Sequence, residues 1–421
     1  MSAAVENYRD EMEATYAVDC SRGREPIKSR RRHPEYRRTG GAPTRVSGMH
    51  CRRNKRWTWG SGRGARVLNM RAFAGAVAFA VASVASTVLG VTIPMTTIGN
   101  PGNAGYIFNG FGDVNYVYDI GTYETTNQEY VDFLNAVGQS NPNGIYNANM
   151  GSNSNGGIVQ SGSPGSYSYS VKPGVNPQGA SYATAPVMFV NWYSAARFVN
   201  WLTNGQQTGG AGVSSLETGS YTLSNATSGP LPARNTGYLL ANGGYVLPNM
   251  DEWFKAAFHN AAGLAATDYN LWGTGTSTQP TANVSNPLLA NVANYGKTVT
   301  PTLGPLDVAS YANSLSSYGL YSTIGNAAEI TETRNPSSDT MYQAMSGSWS
   351  TNPGNILAFN AILGGGSGTF VNGTAATAQI GFRIAAVPEP STAGLAGAGV
   401  AGLAGLEWNR RRKAKARRLA A

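Results

Sequence analysis

The stretch GYVLPNMDEWFKAAFHN, residues 244–260, holds a complete helix start. Asn249, with Glu252 three positions later, forms the reciprocal cap in which each side chain satisfies a backbone N–H at a helix entrance. Trp253, Ala256 and Ala257 then recur at helical spacing and are expected to face a core. The same pattern occurs twice upstream. In YETTNQEYVDFLNAVG, Thr126 and Glu129 make the cap, Tyr130, Phe133, Leu134 and Val137 follow at i, i+3, i+4 and i+7, and Gly138 stops the helix. In PVMFVNWYSAARFVNWLTNG, Val187–Val190 reads as a strand and Asn191 as a cap. Ala195, Phe198, Val199 and Leu202 supply the apolar face, and Gly205 ends the element.

Long polar connections separate these helices: residues 139–185, 204–244 and 260–317. They are rich in Gly, Asn, Ser and Thr and contain Tyr alternations such as SYSYSV (Ser166–Val171), which read as hairpin strands. Loops of this length in a compact domain are functional or packed by their own side chains.

Charge divides the chain. The net charge is +9, yet residues 1–71 hold 17 Lys+Arg against 7 Asp+Glu, and Arg410–Ala421 hold 7 basic residues and no acids. Residues 72–387 hold 7 basic and 13 acidic residues. The basic excess therefore lies outside the region with helical patterning, and no nucleic-acid partner is expected. Both cysteines, Cys20 and Cys51, are in the basic N-terminal stretch, so the patterned region has no disulfide, thiol nucleophile or thiolate metal site.

Both ends read as targeting segments. RVLNMRAFAGAVAFAVASVAS, from Arg66, has basic residues, an apolar run from Ala72 and small residues at Ala82, Ser83, Ala85 and Ser86, the layout of a secretory signal. Residues 1–69 then read as an upstream extension; the alternative is an uncleaved anchor helix behind a basic tail. Either way the following domain is placed outside the cytoplasm, with the Sec export machinery as an expected partner. At the other end, Val387-Pro388-Glu389-Pro390 precedes a Gly/Ala/Leu run, Thr392–Leu406, and a basic cluster. That order resembles the PEP-CTERM sorting signal, which implies processing by an exosortase, with the short apolar run entering a bilayer and the basic cluster staying inside.

The ordered segments resemble the formylglycine-generating enzyme (sulfatase-modifying factor) family. The resemblance rests on GTYETTNQEYVDFLN (121–135), PVMFVNWYSAARFVNWL (186–202), GYVLPNMDEWFKAA (244–257), SSYGLYSTIGNAAEIT (316–331), SGSWS (346–350) and IGFRIA (380–385). It implies one α+β domain of C-type-lectin-like type over residues 91–386, with long loops and little regular secondary structure.

The family's oxidation chemistry is understood to use a late pair of cysteines on copper(I), a soft ion that requires thiolates. Residues 346–383 contain none, so no copper and no formylglycine-generating activity are expected. Related iron enzymes need several histidines, whereas this domain has only His259, read as a helix C-terminal cation or a solvated ring. The resemblance also implies a calcium site around the Gly325-Asn326-x-x-Glu329 turn, with Asn294 and Asp307 upstream, since oxygen ligands suit Ca²⁺. The alternative for the same residues is a turn Asn and a buried Glu paired with Arg383 or Lys255. Ala328 and Ile330 replace the aromatic residues that usually flank that Glu. The resulting expectation is an exported surface domain, non-catalytic, that binds a polysaccharide, matrix or protein ligand. A diverged enzyme and a structural envelope component are the alternatives.

Overall fold

The computed structural model describes residues 90–282, 286–296, 304–352 and 370–387. The basic N-terminal stretch with Cys20 and Cys51, the apolar segment from Ala72, and Pro388, Glu389 and Pro390 with the tail behind them lie outside the described residues.

In chain order the elements begin with β1 (Met95–Ile98), β2 (Tyr118–Gly121), α1 (Asn127–Val137), α2 (Asn149–Ser152), β3 (Ile158–Ser161) and β4 (Ser168–Val171). There follow α3 (Trp192–Thr203), α4 (Gly209–Ser215), α5 (Thr236–Asn242), β5 (Gly244–Val246), α6 (Met250–Phe258), β6 (Thr281–Ala282) and β7 (Val292–Ala293). The last are β8 (Ala328–Asn335), β9 (Ser338–Met345), β10 (Phe370–Asn372), β11 (Ile380–Gly381) and β12 (Ala385–Val387). One four-stranded sheet has the order β1-β2-β12-β5 and another β10-β9-β8-β11; β3-β4 and β6-β7 form two-stranded pairs. This mixture of short helices and small, largely antiparallel sheets is an α+β fold.

The three capped helices form as their sequences dictate. The side chains of Thr126 and Asn249 accept from the N–H groups of Glu129 and Glu252, whose carboxylates reach back to the cap N–H groups. Each such cap contributes about 1 kcal/mol. Tyr130, Phe133, Leu134 and Val137 are all buried, and Phe133 packs edge-on to Phe198 at 5.3 Å. α3 goes beyond the stripe its spacing predicts, because every residue from Trp192 to Leu202 is buried. Its polar members survive there through partners: Asn200 Nδ2 donates to the carbonyls of Leu216 and Tyr221 (2.8 Å each), and Arg197 pairs with Glu217 (2.8 Å).

SYSYSV does supply a hairpin strand, β4, paired with β3. The strand expected at Val187–Val190 does not form. Pro186, just before it, makes an isolated bridge to Thr126, and Val187 N–H donates to Thr125 O (2.9 Å). Phe189 then turns to φ 63°, and its N–H goes to Thr377 O (3.0 Å), so no ladder can propagate.

The first sheet ties the two ends of the domain together. β12 lies between β2 and β5, with Ala385 opposite Ile120 on one side and Val246 on the other. Ile98, Tyr118, Ile120, Val246 and Ala385 form one buried cluster behind it.

Candidate ligand-binding site

The Gly325–Glu329 turn sits at the crossing of β7, β8 and β11. Its backbone is held by close approach: Asn326 N–H donates to Asn294 O (2.8 Å), Gly325 N–H to Ser346 O (3.0 Å) and Trp349 N–H to Asn326 O (2.9 Å). Gly325 has φ +77°, and a Cβ there would stand 2.1 Å from Asn294 O, so only glycine fits. Ser322, Asn326 and Ser346 also adopt left-handed conformations, and Ser346 Oγ donates to the carbonyls of Ser322 and Gly325.

The side chains of this turn are committed to one another. Asn326 Oδ1 accepts from Asn294 Nδ2 (3.0 Å) and from Leu306 N–H (2.8 Å), while its Nδ2 donates to Glu124 Oε2 (2.9 Å). The other Glu124 oxygen accepts from Ala327 N–H (3.0 Å). Burial, and next the charge of Glu329, push the Glu124 carboxyl up to about 8. Glu329 is gripped by Arg383 in a bidentate pair, Nε to Oε2 at 2.6 Å and Nη2 to Oε1 at 2.7 Å, and Trp253 Nε1 donates to Oε2 (2.7 Å). Arg383 and Glu329 are 1% and 0% exposed. The remaining Arg383 donors go to the carbonyls of Gly121 and Tyr321 (2.9 Å each).

Of the four residues expected around a calcium ion, the structure joins Asn294 to Asn326 but turns their amides toward each other. Glu329 points instead to Arg383, and Asp307 Oδ1 accepts from Ala309 N–H (2.9 Å) at a half-buried position. Among the described residues no group of three or more His, Cys, Asp or Glu side chains converges as a metal site. The donor set does not fit copper(I) either: no cysteine lies after residue 51, and the turn offers only oxygen and nitrogen.

The expectation for His259 is corrected, while that for Glu329 resolves to Arg383. His259 is not a solvated ring but is 0% exposed, with Nδ1 2.9 Å from the Tyr318 hydroxyl and the ring stacked on Tyr318. Burial, and then the Lys255 charge, hold it down at about 4, so it is neutral rather than a cation at the end of α6. Lys255 takes no part in binding Glu329; it donates to the carbonyls of Asn100 (2.9 Å) and Val114 (3.3 Å), and burial lowers its amine to about 8. Glu252, besides capping α6, pairs with Arg234 (2.8 Å) and accepts from the Tyr116 hydroxyl. Arg234 also holds Glu332 (2.9 Å).

Outside this knot, the structure brings together a pair that no sequence spacing announces. Tyr123 follows β2, Tyr321 precedes the turn, and their ring centroids are 4.7 Å apart at 40°. Both rings are half-buried, leaving part of each to solvent. Burial, then Tyr321 and Asp307, raise the Tyr123 hydroxyl above its usual range. Tyr321 N–H donates to Thr122 O (3.1 Å), and Arg383 binds the carbonyl of Tyr321, so the knot fixes the platform from behind. The only sequence signal for it is that each tyrosine sits inside an ordered motif, YET and GLYS.

The small sheets, the capped helices and the turn held by Asn326, Glu329 and Arg383 define an α+β domain of the lectin-like, formylglycine-generating type. The chain belongs to the family described as "Sulfatase-modifying factor enzyme 1-like domain", whose model matches residues 114–387. Residues 386–413 match the PEP-CTERM protein-sorting motif, which makes this an exported protein sorted to the cell envelope and implies exosortase-type processing. β1 lies before the first matched residue yet is part of the first sheet. Among solved structures the chain is similar to Treponema denticola variable protein 1, at 20% identity over 72% of this chain and 98% of that one, with a TM-score of 0.42. It is also similar to CarF (19% identity, 71% and 99% covered, TM-score 0.41) and to PvdO from Pseudomonas aeruginosa (13%, 71% and 93%, TM-score 0.32). No curated protein matches it.

Proposed function

We propose that the exported domain is a non-catalytic binding module for a hydroxyl-rich envelope or matrix polymer, carried out through the Sec pathway by the apolar segment that begins at Ala72. The observation that carries this reading is the division of labour around the turn. The ionisable groups Glu124, Glu329 and Arg383 are buried and satisfied by one another and by backbone, which suits holding a fold and not a reaction. What faces outward beside them is the Tyr123–Tyr321 pair with Asp307 near it. Aromatic rings offer an apolar face and a polar rim at low entropic cost, and a carboxylate adds a hydrogen-bond acceptor. A sugar ring presents the complementary surface, with C–H groups on its face and hydroxyls at its edge.

Glycan arrays and envelope-extract pull-downs with purified protein test this reading. Binding is expected, and Tyr321→Ala or Tyr123→Ala should weaken it at least about tenfold, the loss of roughly 1.4 kcal/mol. Wild-type protein that retains no glycan and no envelope polymer would overturn the proposal. Stoichiometric copper or iron in protein purified from its native envelope would instead favour the diverged-enzyme alternative.

A further inference from the structure

The register of the first sheet fixes where the sorting segment leaves the domain. Val387 pairs with Gly244, and Ala386 faces Asp119 on the other side. The chain therefore departs at the end of the sheet where β1 finishes at Ile98, β2 starts at Tyr118 and β5 starts at Gly244.

Five of the nine exposed large apolar side chains among the described residues belong to segments at this same end. Ile107, Phe108 and Val117 lie in the connection between β1 and β2, and Leu240 lies on α5 just before β5. Leu264 lies in a loop joined to that connection by Ala104 N–H to Leu264 O (3.1 Å) and Ile107 N–H to Ala266 O (3.0 Å). Ile107 is 57% exposed, Phe108 60% and Leu240 64%. Grouped apolar exposure of this kind marks an interaction surface rather than ordinary scatter. Residues 99–117, 236–243 and 260–268 contain no Lys or Arg, and their only ionisable carboxylates are Asp113 and Asp268. The surface is thus built to meet something apolar, not an anion.

The tail sets what that is. Only Pro388–Ser391 separate β12 from the apolar run starting at Thr392. At 3.3–3.6 Å per residue the step from Val387 to Thr392 spans at most about 18 Å, while the headgroup zone on each side of a bilayer is roughly 6 Å deep. With the run in the membrane, this end of the domain is held within about 12 Å of the headgroups. That distance puts the exposed Phe and Leu side chains at this end within reach of the lipid interface.

We propose that, while the sorting segment remains attached, this end of the domain lies against the bilayer, with Ile107, Phe108, Val117, Leu240 and Leu264 contacting the lipid interface. The contact is apolar and does not depend on anionic lipid, since the segments carry no cation to attract it.

The test uses the full chain bound to phosphatidylcholine vesicles, with Cys20→Ser and Cys51→Ser so that single thiols can be labelled. An environment-sensitive fluorophore is placed by Phe108→Cys, by Leu240→Cys and, as a reference, by Ser337→Cys. Ser337 is exposed on the β8–β9 turn, in a hairpin attached through Glu332 N–H to Pro248 O, beyond the other end of β5. The expected result is blue-shifted emission and quenching by nitroxide-bearing lipid at positions 108 and 240, with neither at 337, unchanged when phosphatidylserine is added. Equal quenching at all three positions, no quenching at 108 and 240, or failure of the chain to float with the vesicles would overturn the proposal. The labelled sites are mostly exposed, so matching thermal melts should confirm that the fold is retained.

Discussion

Replacing Arg383 by Met should be the most damaging single substitution in the turn. The change keeps much of the side-chain volume but removes the bidentate partner of Glu329, which is 0% exposed, and leaves the carbonyls of Gly121 and Tyr321 without their 2.9 Å donors. Removing one member of a buried pair costs about 3–5 kcal/mol, because the surviving charge keeps its desolvation penalty without compensation. Trp253 Nε1 still donates to Glu329, but one neutral donor cannot replace a guanidinium. With a urea m value of about 3 kcal/mol per molar, the unfolding midpoint should fall by roughly 1–1.7 M. Tryptophan fluorescence is a suitable readout, since Trp253 itself contacts the pair. The double substitution Glu329→Gln/Arg383→Met should be less destabilised than Arg383→Met alone, because it removes the orphaned charge. Arg383→Lys should recover only part of the loss, as a lysine cannot make the fork to both oxygens. A midpoint change below that of about 1 kcal/mol for Arg383→Met, or a double variant worse than the single one, would refute the assignment of the pair as the lock of the turn.

Three further outcomes follow from the buried titratable groups. Glu124, raised from 4.5 to about 8, favours the folded state in its protonated form; stability should therefore decline as pH rises from 4.5 through 8. Glu124→Gln should flatten that decline in thermal melts across this range. His259, lowered from 6.5 to about 4, acts in the opposite sense: its contribution is complete above 6.5 and is lost as pH falls toward 4, and His259→Gln should remove that acid-side slope. Millimolar calcium should leave the melting temperature unmoved, because Asn326 Oδ1 already accepts two N–H groups and both Glu329 oxygens are held by Arg383; a shift of several degrees would show that these oxygens turn to a metal.

Much of this protein was legible before any coordinates. The caps at Thr126, Asn191 and Asn249 work over three or four residues, so local sequence is enough to place the starts of α1, α3 and α6. The missing cysteines after residue 51, the concentration of basic charge at the ends and the order of the sorting segment are properties of composition and succession, and folding does not alter them. Three-dimensional structure decided what depends on distant segments meeting. Sequence left Glu329 with two possible cations; β11 beside β8 brings Arg383, 54 residues away, onto it, and leaves Lys255 to backbone carbonyls. A histidine at a helix end reads as solvated until Tyr318 and Tyr269 are seen to enclose it. Val187–Val190 has strand composition but no available neighbour along its length, because Phe189 N–H is drawn to Thr377. Likewise Tyr123 meets Tyr321, and the exit of Val387 meets Gly244, through pairings no local periodicity encodes. Capping and hydrophobic spacing are short-range free energies written in adjacent residues, whereas charge partners, burial and sheet order are set by which segments share the low-dielectric interior.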